Sequence, residues 1–345
     1  MSLVSDTREL ASEPLSNIDV VAVFLWTLAS QLAIDNFNIS KLRADKWRST
    51  LMRTRPKHRT WRQRPSAPCN QGSKIQSFRF YLQHSGEHAA VLHILQQHLP
   101  VEFQRIAADK SSLGVLGVGS GGGDLDVEML SLLQSTFPTL PITADIVEAS
   151  TEFLANFKAL VAKTDNLQKI PFTWHVMLSQ EYRMQVKDVK KYDFIHMIQM
   201  IYFVDDLTET IKFYHSLLNK NGMLMIIVGK ATEGWDILRR TFSKELCSEA
   251  LPVYRSSKEV IASVKTLGLK YEEHCIPNTF EITECFDPNS ETGQRVLRFM
   301  TCADFTSFTP QIRADILNLL GSKCSTEKEG KIHFNSCLSC VFVHA

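Results

Sequence analysis

A chain of 345 residues, 44% hydrophobic and 22% charged, has the composition of a soluble globular protein and can bury a substantial core. A formal net charge of +1 gives no bulk electrostatic reason to expect a nucleic-acid partner. Val20 to Leu28 is apolar for only nine residues and follows Glu9 and Glu13, so neither a membrane span nor a secretory leader is expected.

Residues 1–73 differ from the rest. Lys41 to Arg64 is strongly basic with Trp47 and Trp61 interleaved, a pattern that can touch RNA or anionic lipid but is more simply a poorly ordered extension. Pro65, Pro68, Asn70, Gly72 and Ser73 read as a linker into a single domain over residues 74–345. Ser77 to His98 is a predicted helix with Leu92, Leu95 and Leu99 at core spacing. Strands are predicted at Gly114 to Val118, Thr143 to Val147, Phe172 to Val176, Tyr192 to Ile198 and Met223 to Val228, the last entered through the Asn221-Gly222 turn. Helices fall between them at Thr151 to Lys163 and Leu207 to Leu218, then Lys258 to Leu267, before strands Lys270 to Cys275 and Leu338 to His344. Such alternation implies an α/β fold: a seven-stranded, mostly parallel sheet with helices on both faces. Residues 280–330 do not fit that frame and form a candidate substrate-covering insertion. The eight cysteines form no repeating frame, and Cys337 and Cys340, three apart on a strand, point to opposite faces, so neither disulfides nor a metal site is expected.

The most informative stretch is Leu113 to Asp124. An apolar strand runs into five glycines between Gly117 and Gly123, and an acid and a helical pattern follow. Glycines allow a tight turn and close backbone approach, with amides at a helix N-terminus as donors. About 25 residues on, the second strand ends at Glu148, where a carboxylate can accept both hydroxyls of a ribose. The spacing Gly117-x-Gly119-x-Gly121 is closer to the loop of class I methyltransferases than to the dinucleotide Gly-x-Gly-x-x-Gly. Loop and acid alone leave a nicotinamide dehydrogenase open, and many methyltransferases carry an acid where Gly117 stands.

Phe194-Ile-His-Met-Ile-Gln-Met200 is similar to the fourth-strand signature of histamine N-methyltransferase. The resemblance extends through Ser77-Phe-Arg-x-x-Leu, His84-Ser-x-Glu87-His88, Phe157 to Thr164, Phe213 to Leu218, Leu267 to Glu272, and Lys328 to Lys331 with Phe334-Asn335. It covers essentially everything after Ser77 and nothing before about residue 73. It implies S-adenosylmethionine as co-substrate, contacted by Gly119, Glu148, Ser179 at the adenine and Ile198. Substrate contacts are implied at Glu87 and Gln199. Two positions depart from the family: Phe153 stands where a cofactor-binding glutamine is usual, and Ser336 where an asparagine helps grip the amine.

Methyl transfer from a sulfonium is an in-line displacement governed by geometry and desolvation. A ring nitrogen of a neutral imidazole (pKa about 6.5) is already nucleophilic, so the protein need only orient the ring and accept a proton. Glu87 and Gln199 suit that work, whereas His196, inside a buried strand, is read as a packed core residue. The resemblance allows carnosine, methylated to anserine, or histamine. Arg239, where the family has tryptophan in Gly234-Trp-Asp-Ile-Leu-Arg239, would pair with a carnosine carboxylate or else lie on the surface beside Arg240. Tyr81, Tyr202, Phe203, Trp235 and Phe286 are candidate aromatic walls. The expectation is a monomeric, cytoplasmic enzyme with a small-molecule imidazole substrate and no nucleic-acid or membrane partner. The alternative in another class is a fold that holds S-adenosylmethionine without turnover.

Overall fold

The computed structural model describes residues 81, 83–186, 190–246 and 253–345; the basic extension and linker lie outside them. In chain order come α1 (Glu87–Ala107), β1 (Leu113–Val118), α2 (Asp124–Thr136), β2 (Ile142–Val147), α3 (Thr151–Lys163), β3 (Phe172–His175) and α4 (Ser179–Gln185). Next are β4 (Tyr192–Ile198), α5 (Leu207–Ser216), β5 (Leu218–Gly229), α6 (Gly234–Thr241), α7 (Ser257–Thr266) and β6 (Tyr271–Ile276). The chain continues through β7 (Thr279–Glu281), α8 (Glu291–Thr301), α9 (Pro310–Ser322), β8 (Ser325–Lys328), β9 (Lys331–Asn335) and β10 (Leu338–His344).

Seven strands form one sheet in the order β3-β2-β1-β4-β5-β10-β6, parallel except for β10, which runs antiparallel to both neighbours. Both faces are covered, which is why β2, β4 and residues 222–229 of β5 are almost continuously buried rather than alternating. On one face Val91, Leu95, Leu99 and Phe103 of α1 pack with Met129 and Leu133 of α2. On the other, Ile211 and Tyr214 of α5 meet Val260 and Val264 of α7. The strand order reverses between β1 and β4, and the crevice beyond their carboxyl ends is where such sheets hold ligands.

Two sequence expectations change. The helix predicted at Ser77 to His98 is interrupted at Gly86, which turns left-handed at φ 63°: residues 81 and 83–85 are helical before it, and α1 continues from Glu87 to Ala107 with Pro100 inside it. An internal proline costs about 3 kcal/mol. Beyond it Phe103 and Ile106 are fully buried, each stabilising by about 1.5–3 kcal/mol, so burial wins and the helix continues. Leu92 lies off the buried stripe, which runs through Val91, Ile94, Leu95 and Leu99.

Residues 279–335 build a second sheet, β7-β9-β8, with α8 and α9 packed around it. Phe280, Leu297, Met300, Ile316, Leu320 and Phe334 form its separate core, to which Leu238 of α6 belongs. Among the described residues no helix is long and apolar enough to cross a membrane.

Candidate active site

One end of the crevice is built from backbone. Gly119, Gly121 and Gly123 all sit in the left-handed region, with φ of 67°, 57° and 84°. At Gly119 the requirement is double, because a Cβ would also lie 2.7 Å from Cβ of Met200. Its N–H donates to the Val147 carbonyl at 2.8 Å, tying the loop to the end of β2. One residue on, Glu148 accepts from the Gly121 N–H through Oε2 and from the Ser150 N–H through Oε1, each at 2.9 Å. Burial pushes this carboxyl above its ordinary value, and the backbone donors pull the other way. Gly119 and Ile198 line a cavity of about 310 Å³; Glu148 and Ser179 are not among its lining residues. Ser179 opens α4 with its hydroxyl 3.0 Å from that of Tyr214.

The other end is built from side chains. Glu87, at the start of α1, accepts from the Tyr81 hydroxyl at 2.5 Å and from Gln199 Nε2 at 2.9 Å. Gln199 Oε1 accepts from the Tyr202 hydroxyl at 2.9 Å, and the Tyr202 hydroxyl oxygen in turn accepts from the Gly229 N–H at 3.2 Å. The structure therefore brings Glu87 and Gln199 together across 112 positions of sequence. Gln199 adopts φ 53°, rare for a residue with a side chain, and its N–H is held by the Ile227 carbonyl at 2.8 Å. Such a conformation costs about 1–3 kcal/mol and persists where the surroundings enforce it. Burial raises the Glu87 carboxyl, against the lowering effect of its two donors. Burial also raises the Tyr202 phenol, keeping it a neutral donor.

Aromatic rings close this end. Tyr81 stacks on Phe299 at 4.4 Å and meets Trp235 edge-on at 6.0 Å. Tyr202 stacks on Tyr254 at 6.3 Å. Tyr81, Tyr202, Phe203 and Trp235 line the cavity, as do Tyr254 and Phe299, which sequence reasoning missed. Phe286 does not; it packs beside Gly321 in the second sheet's core.

Arg239 is no surface residue. It is 7% exposed and reaches the cavity wall, with Nη2 3.0 Å from Cys302 Sγ and Nη1 3.3 Å from the Leu246 carbonyl. Among the described residues no carboxylate pairs with it, whereas neighbouring Arg240 pairs with Asp236 and Glu259 outside the cavity. The Tyr254 hydroxyl, on the same wall, is buried without a hydrogen-bond partner.

Other positions also resolve. Ser336 is not among the cavity-lining residues: its hydroxyl accepts from Asn278 Nδ2 at 3.0 Å and its N–H donates to the Asn278 carbonyl at 3.1 Å. The adjoining Asn335 amide donates to Glu233. Phe153 is wholly buried apolar fill. His196 is buried as expected, but it also lines the cavity and contacts Asp126 at 3.1 Å. Cys337 precedes β10 and Cys340 lies within it; no metal-binding cluster occurs among the described residues.

A mostly parallel seven-stranded sheet with one reversed strand, a glycine loop after β1 and an acid after β2 define a class I methyltransferase. A family model described as a methyltransferase domain matches residues 91–274. Histamine N-methyltransferase A of Xenopus laevis is 37% identical over 277 residues, covering 79% of this chain and 94% of its own. The Cavia porcellus histamine N-methyltransferase is 37% identical, covering 79% and 96%. Carnosine N-methyltransferase 2 of Gallus gallus is 36% identical, covering 77% and 85%. The chain belongs to the histamine N-methyltransferase family, and its methyl donor is S-adenosylmethionine.

Proposed function

We propose that the enzyme methylates an imidazole ring nitrogen of carnosine, giving anserine. The donor supplies a methyl group on a sulfonium, which a neutral ring nitrogen can displace directly. In this reading Gly119, Glu148, Ser179 and Ile198 hold the donor. Glu87 and Gln199 orient the ring, Glu87 accepting the ring N–H and then its proton as the new C–N bond forms. Burial and the surrounding aromatic rings exclude water and strengthen these contacts.

The observation that carries carnosine over histamine is Arg239: a buried guanidinium on the cavity wall, with weak acceptors and no carboxylate among the described residues. Carnosine brings a carboxylate that an arginine can grip bidentately, and histamine brings none. The orphaned Tyr254 hydroxyl adds a second donor for that anion. Histamine is the second reading, favoured by the relatives that bear its name and by Glu87, which suits an ammonium group. Six free cysteines among the described residues support a reducing, cytoplasmic setting.

The test compares carnosine and histamine as acceptors with labelled S-adenosylmethionine, identifies the product by mass spectrometry, and repeats both with Arg239→Ala. Efficient turnover of histamine with little of carnosine would end the carnosine reading. Donor binding without product from either imidazole would make the chain a binding module.

A further inference from the structure

Glu87 meets Tyr81 only because the helix between them is broken. On an unbroken helix, residues six apart point roughly 120° away from each other. Gly86 interrupts the helical turn that carries Tyr81, and its left-handed φ of 63° turns the chain so that the Tyr81 hydroxyl donates to Glu87 Oε2 at 2.5 Å. Ser85, 1% exposed, accepts from the Glu87 N–H at 3.2 Å and fixes the same turn.

The ring of Tyr81 is held from elsewhere. It is buried in the core of the second sheet, stacked on Phe299 at 4.4 Å and edge-on to Phe280 at 5.4 Å. The second sheet therefore does more than cover the substrate, because it holds one hydroxyl against the acid. An aromatic wall needs only a ring. A buried hydroxyl is costly unless it is bonded, and this one is bonded to Glu87.

Methyl transfer fixes what Glu87 must be. One ring nitrogen attacks the methyl carbon, the C–S bond breaks with its electron pair left on sulfur, and the ring takes the positive charge. The proton on the other nitrogen passes to Glu87, which must be ionised to accept it. Burial raises the Glu87 carboxyl, and the Tyr81 hydroxyl lowers it, ahead of the Gln199 amide. Tyr81 stays a neutral donor, because burial and the adjacent Glu87 both raise its phenol. The wall also carries His88 on α1, Tyr202 beyond β4, Arg239 on α6 and Tyr254 before α7. Tyr202 bonds Gln199, and Asp126 and His196 pair with each other on the same lining.

We propose that Tyr81 is a positioning residue for methyl transfer, its hydroxyl holding Glu87 in the ionised form that receives the ring proton. The proposal rests on Glu87 as proton acceptor and holds for either imidazole. The test measures kcat/KM from pH 6 to pH 9, with carnosine and with histamine. It compares the unaltered chain, Glu87→Gln, and Tyr81→Phe, which keeps the stacked ring. The acceptor's own titration is common to all three chains and cancels in their ratios. The Tyr81→Phe deficit should grow from within about three-fold at pH 9 to about ten-fold or more at pH 6, as one hydrogen bond to a charged group is lost. A merely structural role does not titrate, so an equal deficit at every pH, or none, would overturn the proposal. Glu87→Gln tells the two readings apart. If its profile follows that of the unaltered chain, Glu87 is not the proton acceptor and both readings fall; if its profile differs while the Tyr81→Phe deficit stays constant, only the role of Tyr81 falls. Should Tyr81→Phe not fold, 3-fluorotyrosine is placed at position 81, where its more acidic hydroxyl donates more strongly. Activity relative to the unaltered chain should then rise by about two-fold or more between pH 9 and pH 6, and a ratio constant with pH would sink the proposal.

Discussion

The two ends of the cavity are made in different ways. At the end proposed to hold the donor, positions 117 to 123 shape the loop through backbone conformation, and Glu148 follows the adjacent strand β2. At the end proposed for the acceptor, Tyr81, Glu87, Gln199, Tyr202, Arg239, Tyr254 and Phe299 arrive from segments spread over more than half the chain. A backbone-built site can be read from neighbouring residues because glycine's freedom is a local property. A site built from side chains depends on which distant segments the sheet brings together. Damage should differ accordingly: loop changes strike donor binding, and acceptor-end changes strike selectivity and turnover while leaving the donor bound.

The largest break is expected from Gly119→Val. A branched side chain at φ 67° collides with Met200, and the backbone strain alone is about 1–3 kcal/mol. Donor affinity, measured by calorimetry, should fall by about 100-fold or more. Glu87→Gln should come next, with kcat/KM lower by about 10–100-fold and donor affinity unchanged, as expected when a single charge-assisted hydrogen bond near the ring is removed. Parallel loss of donor binding in that variant would erase the distinction between the two ends. Arg239→Ala should cost carnosine about ten-fold or more in KM and histamine about two-fold or less. The smallest effect belongs to Tyr202→Phe, which removes one neutral hydrogen bond to Gln199 and should lower kcat/KM by about two- to ten-fold.

Acid titration separates the ends further. Burial raises Glu87, so its ionised form is disfavoured in the folded chain. Stability that is fully present below the ordinary carboxyl pKa is then lost as pH rises through the raised value. Glu87→Gln should therefore melt above the unaltered chain at pH 8, with the gap closing as pH falls toward 4. Unaltered enzyme should also lose activity on acidification above the usual carboxylate range. Differential scanning calorimetry and pH–rate profiles of the two chains measure both trends.

Legibility in the sequence followed the same division. The strands and the glycine loop leave periodic or compositional traces, because burial and backbone conformation dictate them locally, whereas the reversal of β10 does not. The helix predicted to end at His98 runs on to Ala107, because burial of Phe103 and Ile106 outweighs the local cost of Pro100. Tyr254 lies outside any regular element, and Phe299 sits on a helix of the second sheet, so no periodicity could mark either as a cavity wall. Arg239 is instructive: beside Arg240 it reads as half of a surface pair, yet one faces inward and the other outward on the same short helix. Ser336 stands where the resemblance implies an asparagine that helps grip the amine, yet it bonds to Asn278 and is not among the cavity-lining residues.

The reversed strand β10 has a consequence for how the molecule is made. It lies between β5 and β6 and, among the described residues, is the only sheet partner of β6. Emerging from a ribosome, Tyr271–Ile276 must therefore wait about sixty residues with its backbone groups unpaired, and the open edge of β5 waits with it. Leu338, the first residue of β10, also lines the cavity, so the cavity wall is not complete until synthesis has passed that strand.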